Sequence, residues 1–210
     1  MILHGYWRSG AAYRTRIALE LKGLAYGQQG VDLRTGAQRS EAFVALNPQG
    51  MVPALEVDGA VLTQSPAILE WLEEAHPAPA LLPADPLERA HVRAMAALIG
   101  CDIHPLNNLR VGKALRETFG ADQAAVDAWA ARWIVPGFEA LEALVDRHGA
   151  GWCFGDAPTL ADCYLIPQIY SARRFNVSLA AFPRLLAIDA AAGLHPAFIA
   201  AHPDNQPDAD

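Results

Sequence analysis

The chain has 210 residues, 52% of them hydrophobic, and its 23 acidic against 16 basic side chains leave a net charge of −7. That is enough apolar material for one large domain or two small ones with buried cores. The acidic balance argues against nucleic acid as a partner, and no apolar run approaches the ~18 residues that a membrane span needs. Met1-Ile2-Leu3-His4 has neither the basic stretch nor the cleavage site of a secretion signal. Cys101, Cys153 and Cys163 form no Cys-x-x-Cys pair. They read as core residues in a reduced, cytoplasmic setting, and no metal site is expected.

In chain order, Ile2 and Leu3 begin a short strand, and from Tyr13 apolar residues recur at helical spacing through Ile17 and Leu21, with Gly23 as the stop. The junction between them reads Tyr6-Trp7-Arg8-Ser9-Gly10-Ala11. The Ser9 hydroxyl can cap the helix. It can equally offer itself, backed by free N–H groups and the helix dipole, to an anionic sulfur or oxygen. Residues 26–33 predict a second strand, and Glu41 to Leu46 a short helix ending at the loop signal Asn47-Pro48-Gln49-Gly50. Pro53 opens a strand, where proline is tolerated. The Leu55-Glu56-Val57 and Val61-Leu62-Thr63 runs flank Asp58-Gly59 and predict a hairpin with a type I′ turn. Gln64-Ser65-Pro66 then starts a helix, with Ser65 expected as N-cap, Pro66 as first helical residue, and Ile68, Leu69, Leu72 and Ala75 on one stripe. The order is βαβαββα.

Residues 76–86 contain Pro77, Pro79, Pro83 and Pro86, a density that reads as a stiff, extended linker. Beyond it come alanine-rich helices. Val92, Met95, Ile99, Ile103 and Leu106 form one stripe, with a kink expected near Pro105. Val126, Trp129, Trp133, Leu141, Leu144 and Val145 form another, with a kink expected at Pro136. Gly155-Asp156-Ala157-Pro158-Thr159 announces a further helix, and Thr159 with Asp162 makes a variant capping box. Short helices are expected from Pro183 and Pro196, and a loose polar tail from Pro203 to Asp210. The organisation expected is residues 1–77, a linker over 78–86 and an all-helical part over 87–210.

An α/β unit of this order, a proline-rich linker and an all-helical unit together resemble a cytosolic glutathione transferase. The marks are Trp7-Arg8-Ser9-Gly10, Asn47 to Pro53, Gln64-Ser65 and Gly155 to Asp162. Ser9 at the first strand–helix junction is similar to the zeta class. Cys101 to Asn108, Ser171 to Phe175 and the closing Gln206-Pro207-Asp208 are similar to bacterial maleylpyruvate and maleylacetoacetate isomerases of that class. The resemblance implies a thioredoxin-like N-terminal domain with a cis Val52–Pro53 bond, an all-α C-terminal domain, a homodimer, and glutathione as cofactor. It implies cis–trans isomerisation of a maleyl keto-diacid by thiolate addition, bond rotation and elimination.

The same resemblance implies the roles. Ser9 would hold the glutathione sulfur as thiolate. Val52 would pair its backbone with the cysteinyl part, Gln64 and Ser65 would grip the γ-glutamyl carboxylate, and Gln49 would contact the peptide near its glycyl end. His104 and Asn108, four apart on one helix face, would add contacts from the second domain, although His104 can equally be a structural histidine. Arg8, Arg110 and Arg174 would meet the substrate's carboxylates and the enolate charge, with Arg174 preferred to Arg173. On an ideal helix Arg110 lies about 120° from His104. The zeta motif commonly reads Ser-Ser-Cys where this chain has Ser9-Gly10-Ala11, so Ser9 is the one hydroxyl there. Two rival functions stay open: a transferase that conjugates or dehalogenates small electrophiles, and a non-catalytic binding module on the same fold.

Overall fold

The structure, a computed structural model, describes residues 1–210. They divide into two compact units, residues 1–81 with 193–210, and residues 82–192.

The first unit is built on a four-stranded sheet. Strand β1 (Ile2–Gly5) leads into helix α1 (Gly10–Leu21), β2 (Gly27–Gly30) and a short helix α2 (Glu41–Leu46). Then come β3 (Ala54–Val57), β4 (Ala60–Thr63) and helix α3 (Ser65–Ala75). The sheet order is β2-β1-β3-β4. β1 runs parallel to β2, because α1 supplies the crossover, and antiparallel to β3. The β3–β4 turn has Asp58 at φ 49° and Gly59 at φ 82°. Positive φ at both central residues is what a type I′ turn requires, and Asp-Gly accepts it readily. Leu3, Ile17, Leu55, Ile68, Leu69 and Leu72 form the core of this unit, each at most 1% exposed.

Lys22 and Glu73 form a fully buried ion pair at 2.8 Å. The Lys22 ammonium also donates to the carbonyls of His76 (2.7 Å) and Pro79 (2.9 Å), and Glu73 accepts from the Leu81 N–H at 3.0 Å. Each charge therefore has hydrogen-bond partners to offset the loss of water. These bonds tie residues 76–81 to α1 and α3, so much of the stretch expected to be a linker belongs to the first unit.

The final residues differ from expectation more strongly. Helix α9 (Pro196–Ala201) packs on α1, and Arg16, 1% exposed, donates through Nε to the Ala201 carbonyl at 3.0 Å. The tail beyond it is tied down as well. Gln206 is buried and bonds Gln28 and the carbonyls of Ala200 and His202. Residues 193–210 thus sit with the α/β unit, not at the end of the helical one.

The second unit is helical. It comprises α4 (Pro86–Ala97), α5 (Leu109–Phe119), α6 (Gln123–His148), α7 (Leu160–Arg174) and α8 (Pro183–Ala192). Asp85, Asn108 and Asp122 cap α4, α5 and α6 with side-chain oxygens. α7 is the buried centre, with Leu160 to Ile169 all buried, and it packs against α4, α6 and α8. The expected capping box is present: Asp162 accepts from the Thr159 N–H (2.7 Å), the Thr159 hydroxyl (2.8 Å) and the Cys153 N–H (2.9 Å).

The first helical stripe does not continue as one kinked helix. After α4 the chain makes a π-helical stretch (Leu98–Ile103) and a 3₁₀ turn (His104–Leu106), and α5 starts afresh after Asn108. Pro105 cannot donate to an α ladder, and the chain changes its helix type before reaching it. The π stretch packs tightly: a Cβ at Gly137 would lie 2.3 Å from Ile103 Cδ1, and one at Gly100 would lie 2.7 Å from the Tyr164 ring. Pro136, exposed, sits within an α6 that continues without interruption.

Candidate functional site

Strand register brings three loops to one end of the sheet. His4 pairs with Ala54, and Ala54 with Thr63. The segment leaving β1 (Tyr6 to Ser9), the segment entering β3 (Val52-Pro53) and the segment leaving β4 (Gln64-Ser65) therefore share that end.

Tyr6 to Ser9 is a tight turn closed by the Ser9 N–H donating to the Tyr6 carbonyl at 2.9 Å. Ser9 is the N-cap of α1, with extended backbone, and its Oγ accepts from the Ala12 N–H at 3.3 Å. A hydroxyl can accept and donate together. The cap thus leaves the hydroxyl hydrogen for a ligand, beside N–H groups of Gly10 and Ala11 that have no carbonyl one turn back. The Arg8 guanidinium lies over the Trp7 ring at 5.2 Å, within cation–π range.

The Val52–Pro53 bond is cis. Val52 precedes the first ladder pair of β3, so its N–H and carbonyl stand outside the sheet's hydrogen bonding. The loop before it is organised by Asn47, which is buried, donates to the Met51 carbonyl (2.6 Å) and accepts from the Gln49 N–H (3.1 Å). Gln49 and Gln64 hydrogen-bond through their side chains. Gln64 has φ 68° and ψ 109°, an unfavourable conformation for a residue with a Cβ, which the surrounding structure must impose.

Ser65 departs from expectation. Gln64 occupies the N-cap position, without a side-chain cap, and Ser65 is the first helical residue, with Pro66 after it. Its hydroxyl accepts from Arg14 Nη1 at 3.1 Å, both residues being buried. Its N–H, first in α3, has no partner one turn back. Arg14 had no sequence signal as a site residue: a charge in an apolar helix pattern declares its partner only in three dimensions.

In the second unit, His104 lies in the 3₁₀ turn and Asn108 is the N-cap of α5, so they do not share one helix face, and Arg110, in α5, does not lie on one continuous helix with His104. Asn108 Oδ1 accepts from Val111 (3.2 Å) and its Nδ2 donates to the Pro105 carbonyl (3.1 Å). Arg110 is exposed in the first turn of α5, and Arg174 is the exposed last residue of α7. Arg173 pairs with Asp189 at 2.5 Å. Cys153 and Cys163 are fully buried, and burial followed by the Asp162 charge pushes the Cys153 thiol well above its usual range.

A thioredoxin-like unit with a cis-proline strand opposite a capped helix, followed by a helical unit, defines the glutathione transferase class of fold. Family models of the glutathione S-transferase N-terminal and C-terminal domains match residues 8–75 and 123–188. The chain belongs to the glutathione S-transferase family. It is 56% identical to maleylpyruvate isomerase from Ralstonia sp., over 99% of each chain, and 54% identical to maleylacetoacetate isomerase from Pseudomonas aeruginosa, over 99% of this chain and 98% of that one. Among solved structures, it is similar to a holo maleylpyruvate isomerase described as a bacterial glutathione S-transferase of the zeta class, with TM-score 0.98 and 55% identity over 100% of both chains. A maleylacetoacetate isomerase from Anaeromyxobacter dehalogenans, with glutathione bound in its active site, gives TM-score 0.90 and 47% identity over 100% of this chain and 97% of that one.

Proposed function

We propose that this chain is a glutathione-dependent isomerase that converts maleylpyruvate to fumarylpyruvate or maleylacetoacetate to fumarylacetoacetate. The observation that carries the reading is Ser9, capping α1 at the sheet end shared by Val52–Pro53 and Gln64–Ser65, in a chain more than half identical to such isomerases along its whole length.

The residues at that sheet end fit glutathione. A tripeptide with an anionic sulfur, an exposed amide and an α-carboxylate needs a donor at the sulfur, an unpaired strand end and an N–H at a helix start. Ser9, Val52 and Ser65 offer these in turn. When bound, glutathione supplies a sulfur nucleophile able to add to the substrate's double bond and leave it again. Ser9 donates its hydroxyl hydrogen to that sulfur and favours its anionic form. A free thiol has pKa near ~8.5, and each unit of lowering is worth about 1.4 kcal/mol. Gln64 and Ser65 hold the γ-glutamyl carboxylate, and the Arg14 bond to Ser65 fixes the hydroxyl that does so. Gln49, bonded to Gln64, meets the glycyl end. Arg8 is the first unit's cation for a substrate carboxylate or the developing oxyanion, its direction set by the Trp7 ring. Arg110, Arg174, His104 and Asn108, all on the second unit, are candidates that rest on the family resemblance alone.

The protein acts as a cytoplasmic homodimer in this reading, and no helix is long and apolar enough to cross a membrane. The test is turnover: purified protein with glutathione converts maleylpyruvate or maleylacetoacetate to its fumaryl isomer. No turnover of either keto-diacid overturns the reading.

A further inference from the structure

We infer that the C-terminal tail is part of the catalytic apparatus, with Asp208 acting as a positioning residue for Ser9 and Arg8 through the Trp7 backbone. The inference rests on the isomerase reading above and adds to it a residue 199 positions beyond Ser9.

The turn from Tyr6 to Ser9 contains one internal hydrogen bond, Ser9 N–H to the Tyr6 carbonyl. Its first central residue is Trp7, whose two backbone polar groups point out of the turn and are both taken by distant charged side chains. The Trp7 N–H donates to Asp208 Oδ2 at 3.0 Å, and the Trp7 carbonyl accepts from Arg16 Nη2 at 2.8 Å. Arg16 is itself anchored through Nε to Ala201, at the end of α9. Both bonds to Trp7 therefore run to, or are braced by, the last stretch of the chain. Hydrogen bonds with an ionised partner are shorter and stronger than neutral ones. They hold the peptide that precedes Arg8 and Ser9, and the Trp7 ring carries the Arg8 guanidinium.

The tail is built to deliver Asp208 to this place. Gln206, 5% exposed, is bonded to Gln28 and to the carbonyls of Ala200 and His202. Asp210 pairs with Arg34, whose guanidinium lies 5.9 Å from the centre of the Tyr6 ring. Gly30 makes room: a Cβ there would stand 3.3 Å from Asp208 Cβ. Asp208 touches neither the hydroxyl nor the guanidinium, so its effect is on geometry. A displaced hydroxyl makes a weaker hydrogen bond to a sulfur anion, and a misplacement of about 1 Å can cost about 100-fold in rate.

The experiment compares Asp208→Ala, Asp208→Asn and Asp204→Ala with the wild type in the full-length chain. Two readouts are taken: the pH titration of the ultraviolet thiolate absorbance of bound glutathione, which needs no substrate, and kcat and KM for the keto-diacid. Asp208→Ala is expected to raise the apparent pKa of the bound thiol by about one unit, a tenfold loss of thiolate, and to lower kcat by about the same factor with KM for glutathione little changed. Asp208→Asn keeps an acceptor oxygen and is expected to restore most of both. Asp204, exposed on the same tail, is expected to be neutral. A wild-type thiol pKa and kcat in Asp208→Ala overturns the inference, whatever happens to its melting temperature. Should that variant fail to fold, Gly30→Ala, which puts a Cβ 3.3 Å from Asp208 Cβ, takes its place: a raised thiol pKa with lowered kcat is expected, and wild-type values of both overturn the inference. Absence of turnover in the wild type would instead count against the isomerase reading, while the thiol titration would still test Asp208.

Discussion

The Ser9 oxygen accepts the Ala12 N–H, and in the function proposed its hydrogen serves the glutathione sulfur. Ser9→Ala is therefore expected to cost about 1 kcal/mol of stability, the usual worth of an N-cap. It should also lower kcat/KM by roughly 10- to 100-fold, the equivalent of one or two units of thiol pKa. Thermal unfolding and steady-state kinetics separate the two effects, and a loss of stability with unchanged kinetics would reduce Ser9 to a cap. The cysteines make a second case at this scale. Cys101 is exposed, whereas Cys153 and Cys163 are shut away, and burial keeps the Cys153 thiol neutral at physiological pH. A chromogenic disulfide reagent should titrate one thiol in the native protein and all of them after denaturation. Ser9, Val52 and Gln64, the residues proposed to hold glutathione, stand out in the sequence because each sits in a local motif that carries the family resemblance. Arg14, Arg16 and Asp208 do not, because each is given its role by a partner 51, 185 or 201 residues away.

Among the elements, α7 shows how local chemistry sets the fold. Thr159-x-x-Asp162 is legible as a helix start, and the structure adds that the Asp162 carboxylate is fully buried and also takes the Cys153 N–H. Burial pushes its carboxyl above the usual range while these donors pull the other way. Asp162→Ala strips the acceptor from three buried donors and is expected to cost about 3 kcal/mol or more, readable as a lowered denaturation midpoint. A change within about 0.5 kcal/mol, the range of ordinary surface substitutions, would contradict this. The region around Pro105 was less legible. Apolar spacing through Ile103 is that of a helix, and Val92, Met95, Ile99 and Ile103 are indeed buried. Periodicity does not register a change from α to π to 3₁₀ winding, however, so the break that parts His104 from Asn108 left no trace in it. The one-residue shift at Ser65 has a related reason: a Ser-Pro pair marks a helix start, but not which residue bends into it.

For the molecule as a whole, the order of strands and helices follows from hydrophobic period and turn residues, and the family likeness from a few short motifs. What the order does not contain is where the chain's end goes. A polar, proline-containing tail has the composition of a loose one, yet Gln206, Asp208 and Asp210 each find a partner on the first unit. The first unit is consequently completed by residues 193–210. Asp208 bonds the Trp7 N–H, two residues before Ser9, and this bond is where the architecture meets the chemistry proposed for it.

In the function proposed, this chain uses glutathione without consuming it. The most direct measurement follows product and free thiol together in one reaction with maleylpyruvate or maleylacetoacetate and a small amount of glutathione. The fumaryl isomer is expected to accumulate to many times the glutathione present while the thiol concentration stays constant. A thiol concentration that falls one for one with substrate, or an absence of product with either keto-diacid, would contradict it.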